Sequence, residues 1–178
     1  MKITGIEITL LAVPLRRPIR TSFHDFSHAH TVFVKMHTDT GMGWCFAFVE
    51  RKAAVLALLA EDLTALYVGR DPRAVRDNHA VAWKDMNFLG HAGASMIALS
   101  GIDTACWKLA ALGADVPLYR HLGGAATRVQ TYASSALWLG RSIDALTAEA
   151  LELAADGHRA MKVRVGQADF MADSGPAP

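Results

Sequence analysis

Residues 129–165 carry one strand–helix–strand pattern, and a single unit of that kind cannot bury its own apolar faces. Residues 129–135 read as a short strand, Ser142 as the N-cap of a helix running to residue 156, and residues 160–165 as a second strand. Parallel strands joined by a crossover helix belong to sheets that are covered on both sides. Two strands and one helix supply neither the further strands nor the second layer. The stretch is expected to be the first βαβ unit of a larger sheet or barrel, left incomplete in this chain. After residue 170 the periodicity stops, and Ser174-Gly175-Pro176-Ala177-Pro178 cannot continue a helix.

The preceding residues follow a different plan. Residues 3–13 alternate with Ile6, Ile8 and Leu10 on one face, the signature of a half-buried strand. Pro14 and Pro18 bracket a basic turn, and residues 20–30 read as a polar, aromatic-rich loop. A second strand at residues 31–37 places Val32, Val34 and Met36 together, and Asp39-Thr40-Gly41-Met42-Gly43 is turn chemistry before a third strand at 44–49. The three form an antiparallel meander. Val55, Leu59, Leu63 and Leu66 then recur at helical spacing up to a C-capping Gly69. Asp71-Pro72 reads as N-cap and first-turn proline of a helix to about residue 88. Residues 94–112 make another helix, ended by Gly113, and Pro117 opens a short one that stops at Gly123-Gly124. Strands first and helices afterwards predict an α+β domain over residues 1–126, with the barrel start over 127–178.

Composition narrows the classes of function. Hydrophobic residues at 52% against 20% charged give ample material for a packed core. Eighteen basic and seventeen acidic residues leave a net charge of +1, which offers no electrostatic footprint for nucleic acid or an anionic membrane. The longest apolar run, residues 53–60, is far shorter than the roughly 20 residues a membrane span needs. Cys45 and Cys106 lack metal-ligand spacing and read as reduced, buried thiols, so the expected compartment is the cytoplasm.

The segment richest in chemistry is Ala160-Met161-Lys162-Val163-Arg164-Val165-Gly166. In a strand, Lys162 and Arg164 share one face while Met161, Val163 and Val165 take the other. Two cations turned into a barrel interior require anionic partners, whether acidic side chains or a substrate carboxylate. An amphipathic edge strand with both cations in water satisfies the same spacing.

The run Ala98-Leu99-Ser100-Gly101-Ile102-Asp103-Thr104-Ala105-Cys106-Trp107-Lys108-Leu109 continues as Gly113-Ala114-Asp115-Val116-Pro117-Leu118-Tyr119-Arg120-His121-Leu122-Gly123-Gly124 and then Val129-Gln130-Thr131-Tyr132-Ala133-Ser134. Together with Gly41-Met42-Gly43-Trp44, it resembles the mandelate racemase and muconate-lactonizing group of the enolase superfamily. The resemblance implies an α+β capping domain followed by the first βαβ unit of a (β/α)8 barrel. It further implies Mg²⁺ held by three acids on later barrel strands, and abstraction of a proton α to a carboxylate of a hydroxy acid or acid sugar. Homo-oligomers are expected, and no nucleic-acid or membrane partner.

The resemblance also assigns roles by position. Lys162 and Arg164 fall on the family's Lys-x-Lys motif, whose second lysine often serves as base. Arginine stays protonated at physiological pH and cannot readily take a proton, so electrostatic steering is the role expected of both. The resemblance leaves the base as either Lys162 or a histidine from the far side of the barrel, in an acid-sugar dehydratase or racemase; the far-side histidine suits one-faced dehydration better than racemisation. Thr21, Phe23 and His24 match in place a lid loop closing over substrate, and Glu50 a second one. Asp169 and Asp173 do not sit at metal positions, so no metal ligand is expected in this chain and none is expected to bind it. Asp103 and Trp107 read as a satisfied acid and a packing residue, and His28 with His30 lacks a third ligand. The chain alone is expected to be inactive. A non-catalytic capping module that binds a partner, or half of a split enzyme, is the alternative.

Overall fold

A computed structural model describes residues 1–20, 25–48, 55–56 and 58–165. The chain divides into two compact units, Met1–Val13 with His30–Ala125, and Pro14–Ala29 with Ala126–Pro178. Strands β1 (Ile3–Arg20), β2 (Asp25–Thr38) and β3 (Met42–Phe48) form one sheet in that order. Strands β2 and β3 pair antiparallel, with Val34 opposite Cys45, Lys35 opposite Trp44 and Met36 opposite Gly43. The alternation read from the sequence holds, because Val32, Val34 and Met36 are fully buried.

The hairpin is longer than the sequence suggested. Strand β1 runs through Pro14 and Pro18, and residues 25–30 belong to β2 instead of a loop. Proline removes a ladder donor, which a central strand does not tolerate but an edge strand does. Strand β1 lies at the sheet edge, so both prolines fit.

Helical stretches of the first unit follow. A π-helical turn, Leu58–Leu63, leads into α1 (Thr64–Tyr67). The Thr64 hydroxyl donates to the Leu59 carbonyl at 2.6 Å, supplying a partner across the widened turn. Val55, Leu59 and Leu63 are buried as their spacing predicted. Gly69 adopts φ +88°, the left-handed conformation expected of a helix-ending glycine. Its N–H donates to the Ile3 carbonyl, and Ile3 N–H donates to the Arg70 carbonyl, both at 2.9 Å. These two bonds tie the end of α1 to the start of β1.

Helix α2 (Val75–Asp85) begins later than Asp71-Pro72 predicted, and a 3₁₀ turn, Met86–Phe88, extends it. Asp71 does not cap it. Its carboxylate accepts the Arg73 backbone N–H at 2.9 Å and a two-pronged contact from the Arg73 guanidinium. That pairing holds the Asp71 carboxyl at about 2, below the usual carboxylate range. Asn78, buried, links the same turn by donating to the Asp71 carbonyl at 2.8 Å and accepting from Arg70 Nε at 2.6 Å.

Helix α3 (Ala94–Gly113) supplies the core layer of this unit. Ala98, Ile102, Ala105 and Leu109 recur at helical spacing and are buried, with Cys106 beside them. The helix lies close to β3 at Gly43. A Cβ at that position would stand 2.6 Å from Leu109 Cγ and 3.0 Å from the Ala105 carbonyl oxygen. On the same inner side, Cys106 Sγ sits 3.9 Å from Met36 Sδ. A short α4 (Leu118–His121) follows Pro117.

In the second unit α5 (Ile143–Ala155) is capped by Ser142, whose hydroxyl accepts the Ala145 N–H at 3.2 Å. The two strands expected around it reduce to one parallel bridge, Ala133 with Met161. Ala133 N–H donates to Ala160 O at 2.9 Å, and Lys162 N–H donates to Ala133 O at 2.8 Å. An isolated strand pair is marginal, and the ladder here does not extend beyond its central residues. Among the described residues no helix is long and apolar enough to cross a membrane.

Two outcomes test this packing. Gly43→Ala is expected to destabilise the chain by about 1–3 kcal/mol, read from urea unfolding, because Leu109 Cγ and the Ala105 carbonyl oxygen block the new methyl. An unchanged midpoint contradicts the close approach. Burial pushes the Cys106 thiol up to about 12, so the native chain is expected to resist iodoacetamide there at pH 8. Peptide mass spectrometry showing Cys106 alkylated as fast in native as in denatured chain contradicts it.

Candidate functional site

The cations singled out by the sequence fall in the second unit, just past the parallel bridge. Met161 pairs with Ala133, so Lys162 and Arg164 emerge where the bridged segments leave their pairing. In parallel α/β architecture ligands gather at that carboxyl end of the strands. Lys162 is exposed, and its ammonium makes no hydrogen bond or ion pair among the described residues. Arg164 is half-buried, and its guanidinium is engaged through both terminal nitrogens. Its Nη2 donates to the Ser134 carbonyl at 2.9 Å and its Nη1 to the Ala136 carbonyl at 3.1 Å. The guanidinium carbon lies 3.3 Å from the centre of the Trp138 ring, a stacked cation–π contact. Two residues of one sequence motif therefore have opposite fates.

The turn that receives Arg164 is itself over-determined. Leu137 is buried and adopts φ +57°, a left-handed conformation uncommon for a branched residue. Its N–H donates to Glu149 Oε2 at 3.0 Å, and its carbonyl accepts the Arg164 N–H at 3.3 Å. Glu149, on α5, also pairs with the Arg141 guanidinium. The Trp138 indole N–H donates to the Ser135 carbonyl at 3.1 Å. The carbonyls of residues 134, 135, 136 and 137 thus all have partners. Sequence reasoning missed Trp138, Arg141 and Glu149. The signal was available in an aromatic and an arginine placed in a strand-to-helix connection, with an acid eight residues after the arginine.

The other singled-out residues divide as follows. Thr21, Phe23, His24 and Glu50 lie outside the described residues, as do Asp169 and Asp173. The Nδ1 of His28 shares a hydrogen bond with the Ser27 hydroxyl at 2.9 Å. Among the described residues no three His, Cys, Asp or Glu side chains converge to hold a metal ion. Asp103 Oδ1 lies 3.3 Å from His79 Nδ1, and Trp107 sets its ring edge-on to His121, so both have structural partners in the first unit. Trp107 and His121 also line an open cleft of about 300 Å³ with Arg73, Arg76 and Asp77. Of these, Arg73 is already committed to Asp71.

On the outer face of the sheet, Glu7 accepts Lys35 Nζ at 3.0 Å and shares a hydrogen bond with His37 Nε2 at 2.6 Å. The Lys35 contact, then the His37 contact, lowers the Glu7 carboxyl below its usual range. All three groups meet solvent, so the cluster acts on the surface of the sheet and not on a buried centre.

Known proteins share this architecture. The 3,6-anhydro-alpha-L-galactonate cycloisomerase of Streptomyces coelicolor is 27% identical over 96% of this chain and 48% of its own length. The D-galactarolactone cycloisomerase of Agrobacterium fabrum is 30% identical over 93% of this chain and 44% of its own. A solved racemase from Streptomyces coelicolor with bound magnesium superposes with a TM-score of 0.85 at 26% identity, covering 96% of this chain and 49% of that one. The chain therefore spans about half the length of the relatives it matches. Residues 4–123 match the family model for the mandelate racemase / muconate lactonizing enzyme N-terminal domain, and the chain belongs to that family.

Proposed function

We propose that this chain supplies the capping domain and the first barrel segments of an enzyme that abstracts a proton α to the carboxylate of an acid sugar. What supports the reading most is the family match over residues 4–123, together with relatives that are acid-sugar cycloisomerases. Within that reaction class, dehydration and cycloisomerisation need one proton-accepting side, whereas racemisation needs two. Arg164 stands where the family's base is expected, and a guanidinium holds its proton at any working pH. A one-sided reaction fits that substitution.

Lys162 is given the steering role in this reading. Its ammonium is exposed and without a partner among the described residues, so it is available to a substrate carboxylate. Thr21, Phe23, His24 and Glu50 are proposed as lid residues by their positions in the chain. Magnesium is implied by the family, where it would stabilise the enediolate. The described residues do not converge into a set that fits it. By itself the 178-residue chain is proposed to turn nothing over.

The test uses the purified chain with Mg²⁺ and galactonate or galactarate in ²H₂O. Proton NMR is expected to show the α-proton signal holding at the level of a protein-free blank. In parallel, the ε-methylene signal of Lys162 is expected to shift as ligand is added. Loss of the α-proton above the blank would sink the claim of inactivity. A Lys162 signal unmoved at high millimolar ligand would sink the steering role.

A further inference from the structure

The two cations of the 162–164 motif do different work, and the difference can be read from where their donors go. The Lys162 ammonium spends no donor on the described protein, whereas the Arg164 guanidinium spends donors on two main-chain carbonyls and its flat face on Trp138. Carbonyls two residues apart, at Ser134 and Ala136, can be bridged by a planar fork. A single ammonium has no such geometry. The segment they belong to connects the bridged Ala133 to the Ser142 cap, so it is a strand-to-helix loop. Such loops form the rim where α/β domains take their ligands.

We propose that Arg164 is a positioning residue that locks the 134–138 turn and thereby sets the shape of the rim beside Lys162. The proposal deepens the reading given under Proposed function by placing specificity in that turn. Three features show why a lock is needed. Leu137 sits in a left-handed conformation that costs free energy for a residue bearing a Cβ. Its N–H is held from the helix side by Glu149, itself paired with Arg141. Its carbonyl and those of Ser134 and Ala136 are held from the strand side by Arg164. The turn is clamped from both ends, and only the Arg164 end also fixes an aromatic ring. Trp138, half-buried and stacked at 3.3 Å, is the side chain whose place at the rim depends on the guanidinium. Ser134 and Ser135 travel with it.

The experiment labels the chain with 5-fluorotryptophan and compares it with Arg164→Lys and Arg164→Met by ¹⁹F NMR. Trp138→Phe identifies the Trp138 resonance among the four tryptophans. Both Arg164 variants are expected to shift or broaden that resonance while those of Trp44, Trp83 and Trp107 stay in place. Lysine is expected not to rescue it, because keeping the charge does not keep the fork. An unmoved Trp138 resonance in both variants, or full rescue by lysine, overturns the proposal. A second measurement needs no substitution. Slow rotation about an arginine Cζ–Nη bond, with a cross-relaxation signal from that guanidinium to the Trp138 indole, is expected in the unaltered chain. Fast rotation for every arginine near an indole overturns the clamp even if a variant fails to fold. Neither readout depends on turnover, so a failed clamp leaves the acid-sugar reading standing, and a failed turnover assay leaves the clamp standing.

Discussion

The close approach of helix α3 to strand β3 at Gly43 sets the geometry of the first unit. A sheet and a helix ordinarily pack with side chains from both surfaces between them. Here one surface contributes only a hydrogen, so Leu109 and the Ala105 carbonyl come down onto the strand itself. Ala98, Ala105 and Ala110 on the helix are buried as well. Met36 and Cys106 meet beneath it, and Val32 and Val34 extend the contact along β2. With that layer fixed, the remaining pieces have defined places. The Gly69–Ile3 and Ile3–Arg70 bonds hold the end of α1 against the first strand, and Asn78 stitches α2 to the turn before it. One polar atom is left over. The hydroxyl of Tyr67 is buried without a partner among the described residues, and burial pushes its ionisation up.

Much of this could be read from the residues, where local pattern and tertiary demand agree. The spacing of Ala98, Ile102, Ala105 and Leu109 announces α3 and its inner face together. Gly69 ends a helix by a conformation that only glycine adopts cheaply, and Ser142 caps one through its hydroxyl. The misses share a cause, which is dependence on partners distant in sequence. Pro14 and Pro18 read as a turn because their tolerance within a strand rests on that strand lying at an edge. Asp71-Pro72 reads as a helix start, yet Arg73 competes for the carboxylate and the helix waits until Val75. The strands around α5 carry strand-like sequence, but a two-stranded pair is marginal by itself, and only its central bridge forms.

The candidate site shows the same division. Alternation predicts Lys162 and Arg164 on one face, and the chemistry of guanidinium argues against Arg164 as a base. What alternation does not report is that Arg164 turns its donors onto backbone carbonyls, since that depends on Leu137 bending the chain the left-handed way. The two cations differ in what they touch: the Lys162 ammonium is uncommitted among the described residues, whereas the Arg164 guanidinium is held by two backbone carbonyls and the Trp138 ring.

The claim on which the account rests most is that α3 against the sheet is the stable centre. Amide hydrogen exchange of the 178-residue chain under native conditions tests it most directly. The account predicts that amides of α3 between Ala98 and Ala110 exchange slowest, together with those of Val32, Val34 and Met36, and that both sets slow to a common limit. Amides bordering the Ala133–Met161 bridge are predicted to exchange faster. Fast exchange in α3 while β2 stays protected, or the slowest exchange lying around residues 133–162, would contradict it.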